Sequence, residues 1–172
     1  MDILSHGLWG GLLLGKKSKK DFWMAFAFGV GPDLFSFGIF SALTILGLAS
    51  GLDWSAGPPN PLLIPQYIFQ LYNITHSLVV FGVVFGAVWL ICKKPYWPML
   101  AWLFHILLDV PTHTTNFFPT PFLWPFFEYR FNGISWSHPI IFFPNWIALG
   151  VLLWWKLVHR KGISHTQKIK NK

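Results

Sequence analysis

Apolar runs long enough to cross a bilayer, at 22–52, 67–92, 95–110 and 139–158, fill most of this 172-residue chain and confine it to a bundle of membrane helices. Hydrophobic residues make up 53% of the sequence and charged residues 11%, with a mean hydropathy of +0.48, outside the range of ordinary soluble domains. The expected architecture is all-α: a polytopic membrane helix bundle of about four crossings plus a short N-terminal helix. Residues 1–160 form a single membrane-embedded domain and 161–172 a basic tail.

Lysine clusters set the orientation. They fall at 16–20, at 93–94 and from Lys156 to Lys172, each at the end of an apolar run. With all three in the cytoplasm, the segments near 53–66 and 111–138 face outward, and Arg130 is the one basic residue outside. Twelve of thirteen basic residues on one side is a strong positive-inside pattern. It predicts a multi-pass protein of the inner (plasma) membrane with its C-terminus in the cytoplasm. The net charge of +7 therefore reads as topology, and without a basic stripe or interleaved aromatics no nucleic-acid partner is expected.

The run from Ile3 to Gly15 is too short to span. Its lysines follow the apolar part and Asp2 precedes it, the reverse of a secretory signal, so a retained helix is expected, packed through Gly7, Gly10, Gly11 and Gly15. The single cysteine, Cys92, rules out an intramolecular disulfide and a cysteine zinc site, and is expected to be a buried, inert thiol. Residues 53–66, with four prolines, read as an irregular loop. Residues 111–138 combine prolines with Phe and Trp, and suit an aromatic belt or a lid folded over the bundle.

Against this apolar background the ionisable residues stand out, because a charge in hydrocarbon must find a cation, a proton or a hydrogen-bonded partner. His105 and Asp109 are spaced to lie one turn apart on a single helix face, where they can bind one metal or bridge two, or simply hydrogen-bond each other. Pro111 follows and is expected to put Thr112 and His113 in a turn over that face, making His113 an additional candidate. Asp33 follows Gly29, Gly31 and Pro32, which predict a broken helix, with the carboxylate either capping the break or facing a polar cavity. His76 is flanked by Thr75 and Ser77, able to orient its ring or to cap a helix. His6 lies among glycines, His138 precedes the last span, and His159 and His165 belong to the tail. By depth, His6, Asp33, His76, His105, Asp109 and His138 all occupy the outer half of the bundle, an arrangement that the lysine-based topology did not impose.

These motifs resemble a known family. His6 in a Gly-rich N-terminal helix, Gly31-Pro32-Asp33, Thr75-His76-Ser77, and His105-x3-Asp109-x2-Thr112 followed by Leu123-Trp124-Pro125-Phe126 look like the membrane-bound metal-dependent hydrolases also described as LexA-binding, inner-membrane-associated hydrolases. The likeness runs over residues 1–126, and departs where Leu34-Phe35 follow Asp33 and where no glycine stands near Thr115. It implies metal ligation by His6, Asp33, His76, His105 and Asp109. A more distant similarity to zinc-dependent phospholipases C suggests phosphoester substrates.

The resulting expectation is a membrane-embedded hydrolase using a divalent metal, Zn²⁺ or Mn²⁺, on an ester or phosphoester, with a lipid-like substrate entering from the bilayer. His113, His138 and Glu128 are the candidates for general base, and Arg130 for holding a phosphate. The alternatives are a metal-ion or proton transporter, which also uses buried Asp and His, and a non-enzymatic membrane partner docking through its lysine-rich segments.

Overall fold

The computed structural model describes residues 1–15, 17–51 and 60–170, with the backbone alone for 159–170. Lys16, the first half of the expected 53–66 loop, and the side chains of His159 and His165 lie outside the described residues. The described chain is helical and contains no strand. It runs through α1 (Ile3–Leu14), α2 (Lys19–Asp33), a π-helical turn (Leu34–Gly38), α3 (Ile39–Ile45), α4 (Gln66–Thr75), α5 (Leu78–Cys92), α6 (Leu100–Thr112) and α7 (Pro139–Lys170). Short 3-10 turns at Pro61–Leu63 and Trp97–Met99 lead into α4 and α6.

Two segments are long and apolar enough to cross a membrane: Lys19–Ile45 and Pro139–Val158. The pair α4 and α5 passes the same test together, bent by 57° at its junction, for a third. On α7, Ile140, Ile147, Val151 and Trp154 are exposed, the pattern of a helix whose outer faces meet lipid rather than water. Cys92 is also exposed, not buried as expected. It ends α5, where Lys93 turns the chain into the left-handed region at φ 56°.

Small residues set the spacing of the central helices. A Cβ on Gly29 of α2 would stand 2.5 Å from the His6 carbonyl oxygen, and one on Gly10 of α1 would stand 2.7 Å from the Ala25 carbonyl oxygen. Close backbone approach of this kind drives helix association where no hydrophobic effect operates between helices. It brings α1 and α2 together along the stripe expected for the N-terminal helix, and α6 packs against both. Asp2 caps α1 by accepting from Ser5 N–H at 2.9 Å, and Asn145 of α7 joins the same end, accepting from Trp9 Nε1 at 2.7 Å and donating to Ser5 Oγ at 2.8 Å.

The helix break lies elsewhere than expected. Pro32 sits within α2 and the helix continues past Asp33 through a wider π turn, where Ser36 Oγ bonds the Pro32 and Asp33 carbonyls at 3.0 and 3.2 Å. The real break is at His76-Ser77, where Ser77 caps α5 by accepting from Val79 and Val80 N–H. Similarly, Pro111 is accommodated in the last turn of α6, and His113 is the first residue beyond it.

Residues 113–138 fold back over this end of the bundle. Leu78 N–H bonds the Phe122 carbonyl at 3.0 Å, while Gly133, Ile134 and Trp136 N–H bond the carbonyls of His113, Pro111 and Thr112 at 2.9–3.0 Å. Phe118 turns inward to pack with Phe40, Ile64, Ile68 and Tyr72. A second apolar cluster, Phe81, Met99 and Ile106, fills the space between α5 and α6.

Candidate metal centre

Both helix irregularities deliver a side chain to one point. Asp33 ends α2 where the π turn starts, His76 sits at the break between α4 and α5, and α6 contributes His105 and Asp109 from adjacent turns. One ligand atom from each of the four lies within 4.8 Å of all the others, and all four residues are buried. His76 Nε2 is 3.4 Å from Asp33 Oδ1 and 3.5 Å from Asp109 Oδ2, and His105 Nε2 is 3.8 and 3.1 Å from the same two atoms. Four ligands each about 2.1 Å from a tetrahedral ion stand about 3.4 Å apart, and these separations bracket that value.

Hydrogen-bond inventory explains why the cluster calls for a cation. His105 Nδ1 is 2.7 Å from the Gly29 carbonyl oxygen, and His76 Nδ1 is 3.1 Å from the Tyr72 carbonyl oxygen and 3.0 Å from Thr75 Oγ1. A carbonyl only accepts, so each Nδ1 carries a proton, and in the neutral ring each Nε2 presents a lone pair. The two Nε2 atoms are 3.0 Å apart. Asp33 Oδ2 and Asp109 Oδ2 are buried without a hydrogen-bond partner. Two lone pairs and two carboxylates facing one another in a buried site repel unless a proton or a cation lies among them, and the Met1 amino group offsets only the outer oxygen of Asp109. Imidazole nitrogen and carboxylate oxygen fit a divalent ion of the zinc or manganese type, and carbonyl bonds behind ligating imidazoles are the usual means of fixing their orientation.

His6 reaches the cluster from the other side. Its Nε2 is 2.9 Å from Asp109 Oδ1, the oxygen opposite the one facing His76 and His105, and its ring stacks on His105 with centroids 3.7 Å apart. Its Nδ1 is buried and unpartnered. The Met1 amino group also pairs with Asp109 Oδ1. The structure thus brings together all five residues that the family resemblance assigns to metal, four around one point and His6 against the outer oxygen of Asp109.

The remaining candidates lie outside the group of four. His113 donates from Nδ1 to the Asp109 carbonyl at 3.2 Å, with the same nitrogen 3.4 Å from Asp109 Oδ1, and lines a cavity of about 640 Å³ whose wall also includes Asp33, Thr112, Phe37, Phe118 and Trp136. His138 is exposed and caps α7, its Nδ1 accepting from Ile140 N–H at 3.3 Å. Glu128 is exposed on the returning segment. Arg130 faces a different groove, beside Asn73.

Sequence reasoning missed the carbonyls of Gly29 and Tyr72, which carry no residue signature because every residue has one. It also read Asp2 only as a misplaced charge, although Asp2 and Ser5 form a recognisable helix cap. Comparison with protein families, with curated proteins and with solved structures finds no match to this chain.

Proposed function

We propose that this chain is a four-crossing inner-membrane protein, C-terminus in the cytoplasm, that binds Zn²⁺ or Mn²⁺ at Asp33, His76, His105 and Asp109 and hydrolyses an ester or phosphoester of a lipid-like substrate. The observation that carries the reading is the meeting of two imidazole lone pairs and two carboxylates from three different helices, 3.0 Å apart at the closest. The lysine clusters at the ends of the helices support the fourth crossing. Here α6 and its preceding turn, 97–112, are the short member at roughly 24 Å and are packed against α1 and α2.

A divalent ion held there would lower the pKa of water from near 16 to about 7, the condition for hydrolysis at neutral pH. The protein's part is positional. The Gly29 and Tyr72 carbonyls fix the two rings, and His6 braces Asp109 from its outer oxygen. The cavity beside Asp33 has an apolar wall of Phe37, Phe118 and Trp136 and a polar floor of Thr112 and His113, a combination suited to a substrate with a polar reacting group and an apolar remainder. His113, whose Nδ1 is committed to the Asp109 carbonyl, retains Nε2 for proton transfer in that cavity.

Elemental analysis of the detergent-purified protein, joined to a screen of ester and phosphoester substrates, tests the reading. Bound Zn or Mn with turnover, both lost in Asp109→Ala, is the expected result. Full metal content in Asp109→Ala removes that residue from the ligand set. Zn²⁺ flux into proteoliposomes without turnover of any ester replaces the hydrolase with a transporter, and metal-free protein leaves a non-enzymatic partner.

A further inference from the structure

We propose that Arg130, with Asn73 and Gln66, forms a binding subsite for the phosphate of an anionic lipid headgroup, separate from the metal centre. Arg130 is the only Lys or Arg between Lys94 and Lys156. Among the described residues no carboxylate pairs with it. Its one hydrogen bond is a long contact from Nη2 to Asn73 Oδ1 at 3.5 Å, and Nη1 is buried with no partner at all. Partial burial lowers its pKa from the ordinary value, the Tyr72 and Glu128 sites opposing this only through space. A guanidinium remains charged under any ordinary condition, so among the described residues this half-buried cation lacks a directly paired anion, and an anion with several acceptor oxygens is what its fork of donors matches.

The surroundings select a lipid as the source of that anion. The groove that Arg130 lines has a volume of about 780 Å³; Gln66 and Asn73 are its other polar side chains besides the Tyr72 hydroxyl, and Leu62, Ile64, Phe69 and Phe118 make much of its apolar surface. The Tyr72 hydroxyl is itself committed to the Phe118 carbonyl at 3.0 Å. Next to Arg130 in the chain, Phe126, Phe127, Tyr129 and Phe131 are exposed, the composition of a segment lying at headgroup depth. A polar end holding one cation and an apolar length open to the bilayer fit a phospholipid better than a soluble phosphate. Phe118 lines both this groove and the cavity beside Asp33, so a lipid held here would lie one side chain away from that cavity without entering it.

Native mass spectrometry of the full chain, purified in detergent and offered phosphatidylglycerol or phosphatidylcholine, tests the subsite. Wild type is expected to retain phosphatidylglycerol preferentially, and Arg130→Gln to lose that preference by roughly tenfold, the size of one charge-assisted hydrogen bond. Arg130→Lys should keep part of it. Leu62→Asp, at a side chain 90% exposed, should weaken phosphatidylglycerol retention by placing a like charge in the groove. Thermal unfolding of each variant in the same detergent identifies any that fail to fold. Unchanged preference in a folded Arg130→Gln overturns the proposal. Displacement of the lipid by millimolar inorganic phosphate, with Leu62→Asp behaving as wild type, overturns the lipid as the source.

Discussion

His76 and His105 turn their Nε2 atoms toward each other at 3.0 Å while each ring is pinned from behind by a main-chain carbonyl, His76 within its own helix and His105 across to Gly29 of α2. The pairing has a consequence for affinity. Neither ring can swing away to relieve the lone-pair repulsion without giving up a buried hydrogen bond, so the ligand geometry is prepaid by the packing of α2, α4 and α6. The strength of a metal site here depends on helix packing as much as on ligand identity.

The ligands themselves give the first test. His105→Ala and Asp109→Asn should each lower metal affinity by more than about 100-fold, exceeding the 10- to 100-fold typical of outer partners. Asp109→Asn keeps the shape of the side chain and removes only its charge. Competition with a chelator, followed by elemental analysis, reads both, and wild-type affinity in both variants would mean the cluster is a structural hydrogen-bond network.

Packing gives the second. A methyl group added at Gly29 meets backbone, at 2.5 Å from the His6 carbonyl oxygen and 3.2 Å from Gly7 Cα, so α1 and α2 must separate. Gly29→Ala should cost about 1–3 kcal/mol of stability and weaken metal binding together, since the Gly29 carbonyl holds His105. Gly82→Ala in α5, where the added carbon meets nothing within 4 Å, is the control and should be neutral or slightly stabilising, as a helix gains about 1 kcal/mol on replacing Gly by Ala. Thermal unfolding in detergent with and without added Zn²⁺ separates the two effects.

The pair His105 and Asp109 could be read from spacing, since residues four apart share a helix face whatever surrounds them. That Asp33 and His76 join this pair is not legible from spacing, because they come from other helices and only the packing of the bundle brings them together. The position of the helix break is not legible either. Gly-Pro before Asp33 is the stronger breaker by composition, yet the chain carries on through the π turn, where Ser36 Oγ bonds the Pro32 and Asp33 carbonyls. At His76-Ser77 the only local sign is a serine able to cap, and the bend of 57° depends on Phe122 and Trp124 of a distant segment, which bond Leu78 N–H and Ser77 Oγ. Long-range partners of that kind leave no periodic trace. His138 was placed correctly before the last span, but its depth in the chain carried no information about which way the ring would turn.

His113 separates chemistry from binding. Its Nδ1 bonds the Asp109 carbonyl and its ring borders the cavity, but it lies outside the group of four whose ligand atoms converge. His113→Gln should therefore retain bound metal while turnover falls by about 10²–10⁴-fold, the usual contribution of a general acid or base. Loss of metal in this variant would make His113 a ligand, and unaltered turnover would leave proton transfer to another group.

Asn145 carries a prediction about assembly. It accepts from Trp9 Nε1 and donates to Ser5 Oγ, and Ser5 Oγ in turn donates to Asp2 Oδ2 at 2.6 Å, so one side chain of α7 holds the outer end of α1. Asn145→Leu should destabilise the fold by about 1–2 kcal/mol, the upper range for a polar contact between membrane helices. The loss should appear in thermal unfolding, with Trp9→Phe reproducing part of it.

The proposed four-crossing arrangement would place Cys92 with Lys93 on the cytoplasmic side and the segment 113–138 on the outer side, and the exposure of Cys92 and Ser137 makes this measurable. Cys92 is exposed at the end of α5, and Ser137 is exposed just before α7. In intact cells a membrane-impermeant maleimide should label Ser137→Cys in a Cys92→Ser background, and should reach Cys92 of the unaltered chain only after the membrane is opened. The argument rests on α6 crossing despite its length: 97–112 spans roughly 24 Å against a hydrocarbon core of about 30 Å, a shortfall that bilayer thinning or the flanking Lys93 and Lys94 can absorb at modest cost. If both sites label from the same side, α6 re-enters rather than crosses, α7 then has its C-terminus outside, and the twelve-to-one distribution of basic residues loses its meaning as a topology signal.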